Sequence, residues 1–181
     1  MNVIPTAIPE VCIIEPRVFE DDRGYFYESF NQKQFETLVE RQVNFVQDNQ
    51  SRSRRGVLRG LHYQLNPRAQ GKLVRAVAGE IFDVAIDLRR GSPTLGKWVG
   101  EILSEHNHRQ LWIPEGFAHG FLVLSDSADV AYKTTDYWDA SRERSILWND
   151  PQLKIEWPPG YALILSEKDQ QAGSFAQADL F

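Results

Sequence analysis

The chain lacks most of what marks a secreted, membrane-bound or nucleic-acid-binding protein. It has one cysteine, Cys12, in 181 residues, which excludes an intrachain disulfide framework and suits a reducing compartment. Its apolar residues never reach the roughly 18 in succession that a membrane span requires. The opening Met1-Asn2-Val3-Ile4-Pro5 has neither the basic stretch nor the apolar run of a secretion signal. A formal charge of −5 offers no basic field to displace counterions from a phosphate chain, although a local cationic pocket for one small anion stays open. The expectation is a soluble cytoplasmic protein with neither nucleic acid nor membrane among its partners. No repeat, low-complexity segment or linker divides the chain, so residues 1–181 are expected to form one domain with its own core.

Helical patterning is also scarce. Only Gln32–Arg41 shows it, with Asn31 as a candidate cap and Phe35, Leu38 and Val39 on one face. What fills the sequence is short strand patterning between turn residues. Lys72–Ala78 alternates polar and apolar, Gly79-Glu80 turns the chain, and Ile81–Asp87 resumes the two-residue period. Further strands are expected at Val11–Glu15, Tyr25–Phe30, Phe45–Gln50, Leu58–Tyr63, Trp98–Leu103, Gln110–Ile113, Gly120–Leu124, Val130–Thr134 and Tyr161–Leu165. Many short strands and almost no helix predict an all-β antiparallel sandwich or barrel with a ligand site at its mouth.

Three places could carry chemistry. In Gly56–Gln64, strict alternation puts Arg59 on the face opposite His62 and Leu58, unless Gly60 bends the strand. A lone strand histidine is more often structural than catalytic. In Val130–Thr135, Tyr132 points either to core or to pocket. Ser166-Glu167-Lys168-Asp169 reads by itself as a solvated charged loop.

The segment Ile113-Pro114-Glu115-Gly116-Phe117-Ala118-His119-Gly120 resembles the second motif of the cupins, Pro-x-Gly-x-x-His. Metal-binding cupins also carry a His-x-His motif followed by a glutamate. This chain has His62-Tyr63-Gln64 instead, and no glutamate between Gln64 and Gly79. His62 and His119 alone fall short of the three or more donors a transition metal needs, so neither a metal nor another cofactor is expected.

The resemblance becomes narrower when the motifs are taken in order: Asp21–Phe30, Phe45–Asn49, Gly56–Gln64, Gln70–Arg75, Phe82–Arg89, Trp112–Phe121, Tyr132-Lys133 and Trp148–Pro151. From about Ile4 to about Asp169 this series is similar to the dTDP-4-dehydrorhamnose 3,5-epimerase family. The resemblance implies a cupin jelly roll (double-stranded β-helix) and a homodimer. The implied reaction is epimerisation at C3 and C5 of dTDP-4-dehydro-6-deoxy-D-glucose to dTDP-4-dehydro-L-rhamnose, in dTDP-L-rhamnose biosynthesis. It implies that His62 is the base, oriented by Asp169, that Tyr132 is the acid on the opposite face, and that Lys72 sits near the keto oxygen. Arg23, Phe26, Glu28, Gln47, Asp48, Asn49, Arg59, His119, Glu143 and Lys168 match positions that bind the nucleotide sugar, with Arg23 and Glu28 supplied across the dimer interface. Trp138 stands where relatives often have tyrosine, exchanging a hydroxyl for a larger stacking surface. Residues 170–181 match no family pattern and are expected to be a surface tail.

The chemistry suits these residue types. A ketone at C4 acidifies the hydrogens at C3 and C5, and two acid–base groups flanking the ring invert a carbon without a redox cofactor. Histidine is a base near neutrality, a carboxylate fixes its tautomer, and tyrosine is a protonated donor at pH 7. A fixed cation such as Lys72 stabilises the enolate oxygen, and arginine forks match diphosphate. Phe19, Phe26, Tyr137 and Trp138 are candidates to stack on thymine, although core packing is the commoner role of any single aromatic. The competing readings are a single-position epimerase, a ketoisomerase, a metal-dependent oxygenase and a non-catalytic nucleotide-sugar-binding cupin.

Overall fold

A computed structural model describes residues Met1–Phe181. Strands β1 (Asn2–Pro5) and β2 (Cys12–Glu15) are followed by a small hairpin, β3 (Phe19–Asp21) and β4 (Gly24–Phe26), and by helix α1 (Gln32–Leu38). Eight strands then supply most of the sheet residues: β5 (Gln47–Arg54), β6 (Leu58–Gln64), β7 (Lys72–Ala78), β8 (Glu80–Asp87), β9 (Trp98–Ser104), β10 (Gln110–Ile113), β11 (Phe117–Val123) and β12 (Ser127–Thr134). Short β13 (Glu143–Ser145), the single-turn helix α2 (Glu167–Gln170) and a 3₁₀ turn at Phe175–Gln177 complete it.

The strands build two antiparallel sheets, ordered β1-β2-β10-β7-β12-β5 and β13-β6-β11-β8-β9. Alternation in each strand sends one set of side chains between the sheets. There Val74 and Ala76, Leu111 and Ile113, and Val130 meet Ile81, Ala85, Phe117 and Phe121 in the main core. Further clusters cover the outer faces. Leu73 and Trp112 pack under Phe35 of α1, and Leu61, Tyr63, Val84, Ile86 and Leu88 lie under residues near the C-terminus. This is the expected cupin jelly roll.

Several expected boundaries shift. The helix stops at Leu38 rather than Arg41, with the chain passing through positive φ at Glu40; its start is capped as expected, Asn31 Oδ1 accepting the Gln34 N–H at 3.1 Å. Tyr25–Phe30 is strand only as far as Phe26, because the chain must leave the hairpin to reach that cap. Tyr161–Leu165 forms no strand. Its Tyr161, Leu163 and Leu165 instead cover Leu58 and Leu122, and only Ile164 bridges to Val57.

The tail is likewise not a free surface extension. Phe175, Ala178, Leu180 and Phe181 pack on the five-stranded sheet. Phe181 donates its N–H to the Leu88 carbonyl at 3.1 Å and accepts the Arg90 N–H at 2.9 Å. A segment of low average hydrophobicity is fixed here by a few well-spaced apolar anchors.

Candidate active site

Inward-facing positions are apolar through the middle of the sandwich and become polar at one end. On β7 the inward series Ala76, Val74 ends in Lys72; on β12, Val130 is followed by Tyr132. Gln47 and Asn49 of β5, His62 and Gln64 of β6 and Glu143 of β13 join them around an open cavity of about 510 Å³. His62 and Tyr132 therefore line the same cavity.

The local structure of β6 settles the orientation that alternation left open. Pairing with β11 matches His62 to His119 and Arg59 to Phe121, with a register shift between. Because His119 and Phe121 are two residues apart on one face of β11, Arg59 and His62 also share the inner face, three residues apart. The bulge at Gly60 makes this possible. Its φ is +127°, and a Cβ there would lie 2.5 Å from Gly120 Cα and 2.8 Å from the His119 carbonyl oxygen.

His62 Nε2 lies 2.6 Å from Asp169 Oδ1, while Asp169 is almost wholly buried. Burial alone would raise the Asp169 pKa. The hydrogen bond and charge of His62, the Ser166 hydroxyl and the Gly60 backbone N–H reverse this and hold it below the usual carboxylate value. With Nε2–H donating to an ionised carboxylate, the basic nitrogen of the neutral ring is Nδ1. Lys72, also buried, donates to the His62 carbonyl oxygen at 3.4 Å. Burial lowers its pKa to about 8, against the opposing pull of Asp83 and Glu143. Burial raises that of the Tyr132 phenol, with Arg59 acting against the shift.

Beside His62 lies a second pair, His119 Nε2 and Asp83 Oδ1, at 2.7 Å. Both residues are buried, and the other Asp83 oxygen has no hydrogen-bond partner. Burial lowers the His119 pKa, opposed by Asp83 and reinforced by the charges of Lys72 and His62. No three His, Cys, Asp or Glu side chains gather closely enough to hold a metal ion.

The profile of the dTDP-4-dehydrorhamnose 3,5-epimerase family matches residues 5–177. The chain belongs to this family. A dTDP-4-dehydrorhamnose 3,5-epimerase from Pseudomonas aeruginosa is 64% identical over 181 residues, covering 100% of this chain and 99% of the relative. Among solved structures, a dTDP-6-deoxy-D-glucose-3,5-epimerase from Legionella pneumophila in complex with dTDP-4-keto-L-rhamnose superposes with a TM-score of 0.95. It is 57% identical and covers 98% of this chain and 94% of its own. A 3'-monoepimerase from Streptomyces bikiniensis in complex with dTDP-quinovose is 32% identical, with a TM-score of 0.90 over 97% of this chain and 88% of its own.

All but one of the residues that family resemblance singled out fall into three groups in this epimerase. His62, Lys72, Tyr132, Gln47, Asn49, Trp138 and Glu143 line the cavity. Lys168 is at its rim, paired with Glu143 at 2.6 Å, Asp169 lies behind His62, and His119 is beneath. Arg59 faces the same side but bonds Ser53 Oγ at 3.1 Å. Arg23, Phe26 and Glu28 stand apart. Arg23 and Phe26 are exposed on the β3–β4 hairpin, and Glu28 bonds Asn31 and Gln34.

Asp48 is a correction. Alternation in β5 turns it to the outer face, where Lys133 bonds it at 2.9 Å, so it does not line the cavity of its own chain. Sequence reasoning missed Gln64 and Gln70, whose amides bond the Tyr137 and Asp136 carbonyls and so shape the wall. It also missed Asp83. That signal was present: alternation in β8 places a carboxylate between the inward-facing Ile81 and Ala85.

Proposed function

We propose that this epimerase inverts C3 and C5 of dTDP-4-dehydro-6-deoxy-D-glucose by proton transfer through an enolate. His62 Nδ1 takes the proton from the carbon next to the ketone, the C–H electron pair becomes the C=C bond of the enolate, and the carbonyl π pair moves onto the C4 oxygen. The Lys72 ammonium stabilises that oxygen, since a cation fixed in a buried site needs no reorganisation as charge develops. Tyr132 delivers a proton to the opposite face and inverts the carbon; the imidazolium then releases its proton to solvent through the open cavity and the phenolate regains one, which resets both groups for the second carbon. The raised pKa of Tyr132 keeps the phenol protonated at neutral pH. Asp169 is the positioning residue for His62 and stabilises the imidazolium once formed.

The observation that carries this reading is the placement of an imidazole–carboxylate pair, a buried ammonium and a phenol around one cavity. Trp138 and Tyr137 at the mouth are exposed and offer rings to the thymine. Arg59 and Lys168 supply positive charge for the diphosphate. Arg23, Phe26 and Glu28 act in the site of a second copy. The exposed hairpin rings Phe19, Tyr25 and Phe26 favour a homodimer in which each chain lends this hairpin to its neighbour.

The likeness to a 3'-monoepimerase favours a second reading, inversion at one carbon only. Incubation with the 4-keto sugar in deuterated water separates the two. Deuterium at both C3 and C5 of the product supports the double epimerase, and label at one carbon alone overturns it.

A further inference from the structure

We infer that the C-terminal strap, Gly173–Phe181, clasped by Asp150, is a positioning element for the His62–Asp169 pair. The inference rests on the reading of His62 as the base.

Asp169 lies in a single helical turn that belongs to neither sheet. A turn of four residues has no stability of its own, so its neighbours must fix it. Upstream, Ile164 donates to the Gly56 carbonyl at 2.9 Å and accepts from the Leu58 N–H at 3.0 Å, tying the chain to the start of β6. Downstream, the Gly173 carbonyl accepts the Leu147 N–H at 2.8 Å, and Gly173 bridges Ile146. Ile146 in turn exchanges backbone bonds with Leu61, next to His62, and Ser145 stands opposite His62. The Asp169 turn is thus slung between two anchors on the strand that carries the base.

The downstream anchor is held by the strap. Asp150 is buried; its Oδ2 accepts the Phe175 N–H at 2.8 Å, and its Oδ1 accepts the N–H groups of Gln152 and Leu153 at 2.9 and 3.2 Å. Arg144 of β13 pairs with Asp179 at 2.8 Å, and the Phe181 ring packs 6.0 Å from that of Tyr63, the residue after His62. This gives Trp148-Asn149-Asp150-Pro151, a motif with no place in the cavity, a task. Loosening the clasp displaces Asp169 relative to the imidazole, while the wall built by Gln47, Asn49, Lys72 and Tyr132 on the opposite sheet stays in place.

The test is Asp150→Ala in the full chain, read by kinetics and by the proton NMR signal of the His62 Nε2–H. A donor held 2.6 Å from a carboxylate gives a strongly downfield resonance. The expected result is a kcat loss of about 10- to 100-fold with KM within about twofold, together with loss or upfield movement of that signal. A folded variant with the parent kcat and an unmoved signal overturns the inference. If Asp150→Ala does not fold, Phe181→Ala, which keeps the strap's backbone bonds, decides on the same two readouts. His62→Ala separates the two claims: turnover by that variant removes the base assignment itself, whereas an inactive His62→Ala beside an unaffected Asp150→Ala removes only the role of the strap.

Discussion

Asp169 reaches His62 across 107 positions of sequence to place its Oδ1 2.6 Å from Nε2, and the Gly60 N–H supports the same carboxylate. One bulge therefore does two things. It turns His62 and Arg59 to the same side of β6, and it frees a backbone donor for the residue that orients His62.

Asp169→Asn is expected to lower kcat by about 10²–10⁴-fold with little change in KM, because an amide can hold the imidazole in the wrong tautomer and cannot stabilise imidazolium. Steady-state kinetics checks this. The same group gives a stability signature. Its folded pKa is depressed, so its contribution is fully present above the ordinary carboxylate value and is lost as pH falls through the folded one. Urea titrations from pH 5 to pH 2 should show a shallower acid-side fall for Asp169→Asn than for the parent.

Lys72 sets the alkaline limb. Burial brings its pKa to about 8, while that of Tyr132 is raised from an already high phenol value. The ammonium is therefore lost first, and kcat is expected to fall above about pH 8. Lys72→Arg should move that limb upward, Tyr132→Phe should leave it in place, and Lys72→Met should cost kcat about 10²–10³-fold. Between about pH 8 and the unfolded value of 10.5 the unfolded chain holds a proton that the folded one has released, so this group makes stability rise with pH in that window.

Tyr132→Phe separates proton removal from inversion. With the base intact and the opposite-face donor gone, deuterium exchange at the acidic carbons should persist while net epimerisation falls by about 10²–10⁴-fold. NMR of the recovered sugar reads both. Equal loss of exchange and inversion would place Tyr132 elsewhere in the reaction.

Gly60→Ala tests the bulge. The added methyl meets the backbone of Gly120 and His119 at a φ that L-residues avoid, so a loss of at least about 2 kcal/mol in folding stability is expected. Denaturant unfolding measures it.

The sequence carried the sandwich well, because alternation in β7 and β8 is local and their inward faces are apolar. It also carried the residues of the cavity, through motifs whose order survives without a structure. What it concealed depends on contacts between distant segments. Strict alternation separated Arg59 from His62, and only the approach of Gly60 to Gly120 reunites them. Asp48 sits next to Asn49 in a shared motif, but the pleat of β5 turns the two to opposite faces. The C-terminal residues looked unattached because what fixes them is Leu88, Asp150 and Tyr63 (all far upstream). Asp83, by contrast, is legible from the alternation of β8 alone.

The central claim is that His62 removes the protons next to the ketone. Its most direct test is the rate of deuterium incorporation at C3 and C5 of the 4-keto sugar, measured by NMR for the parent and for His62→Ala with each shown to be folded. The account predicts incorporation at both carbons by the parent and a loss of at least about 10²-fold at both in the variant. Incorporation by His62→Ala at a rate near that of the parent would contradict it.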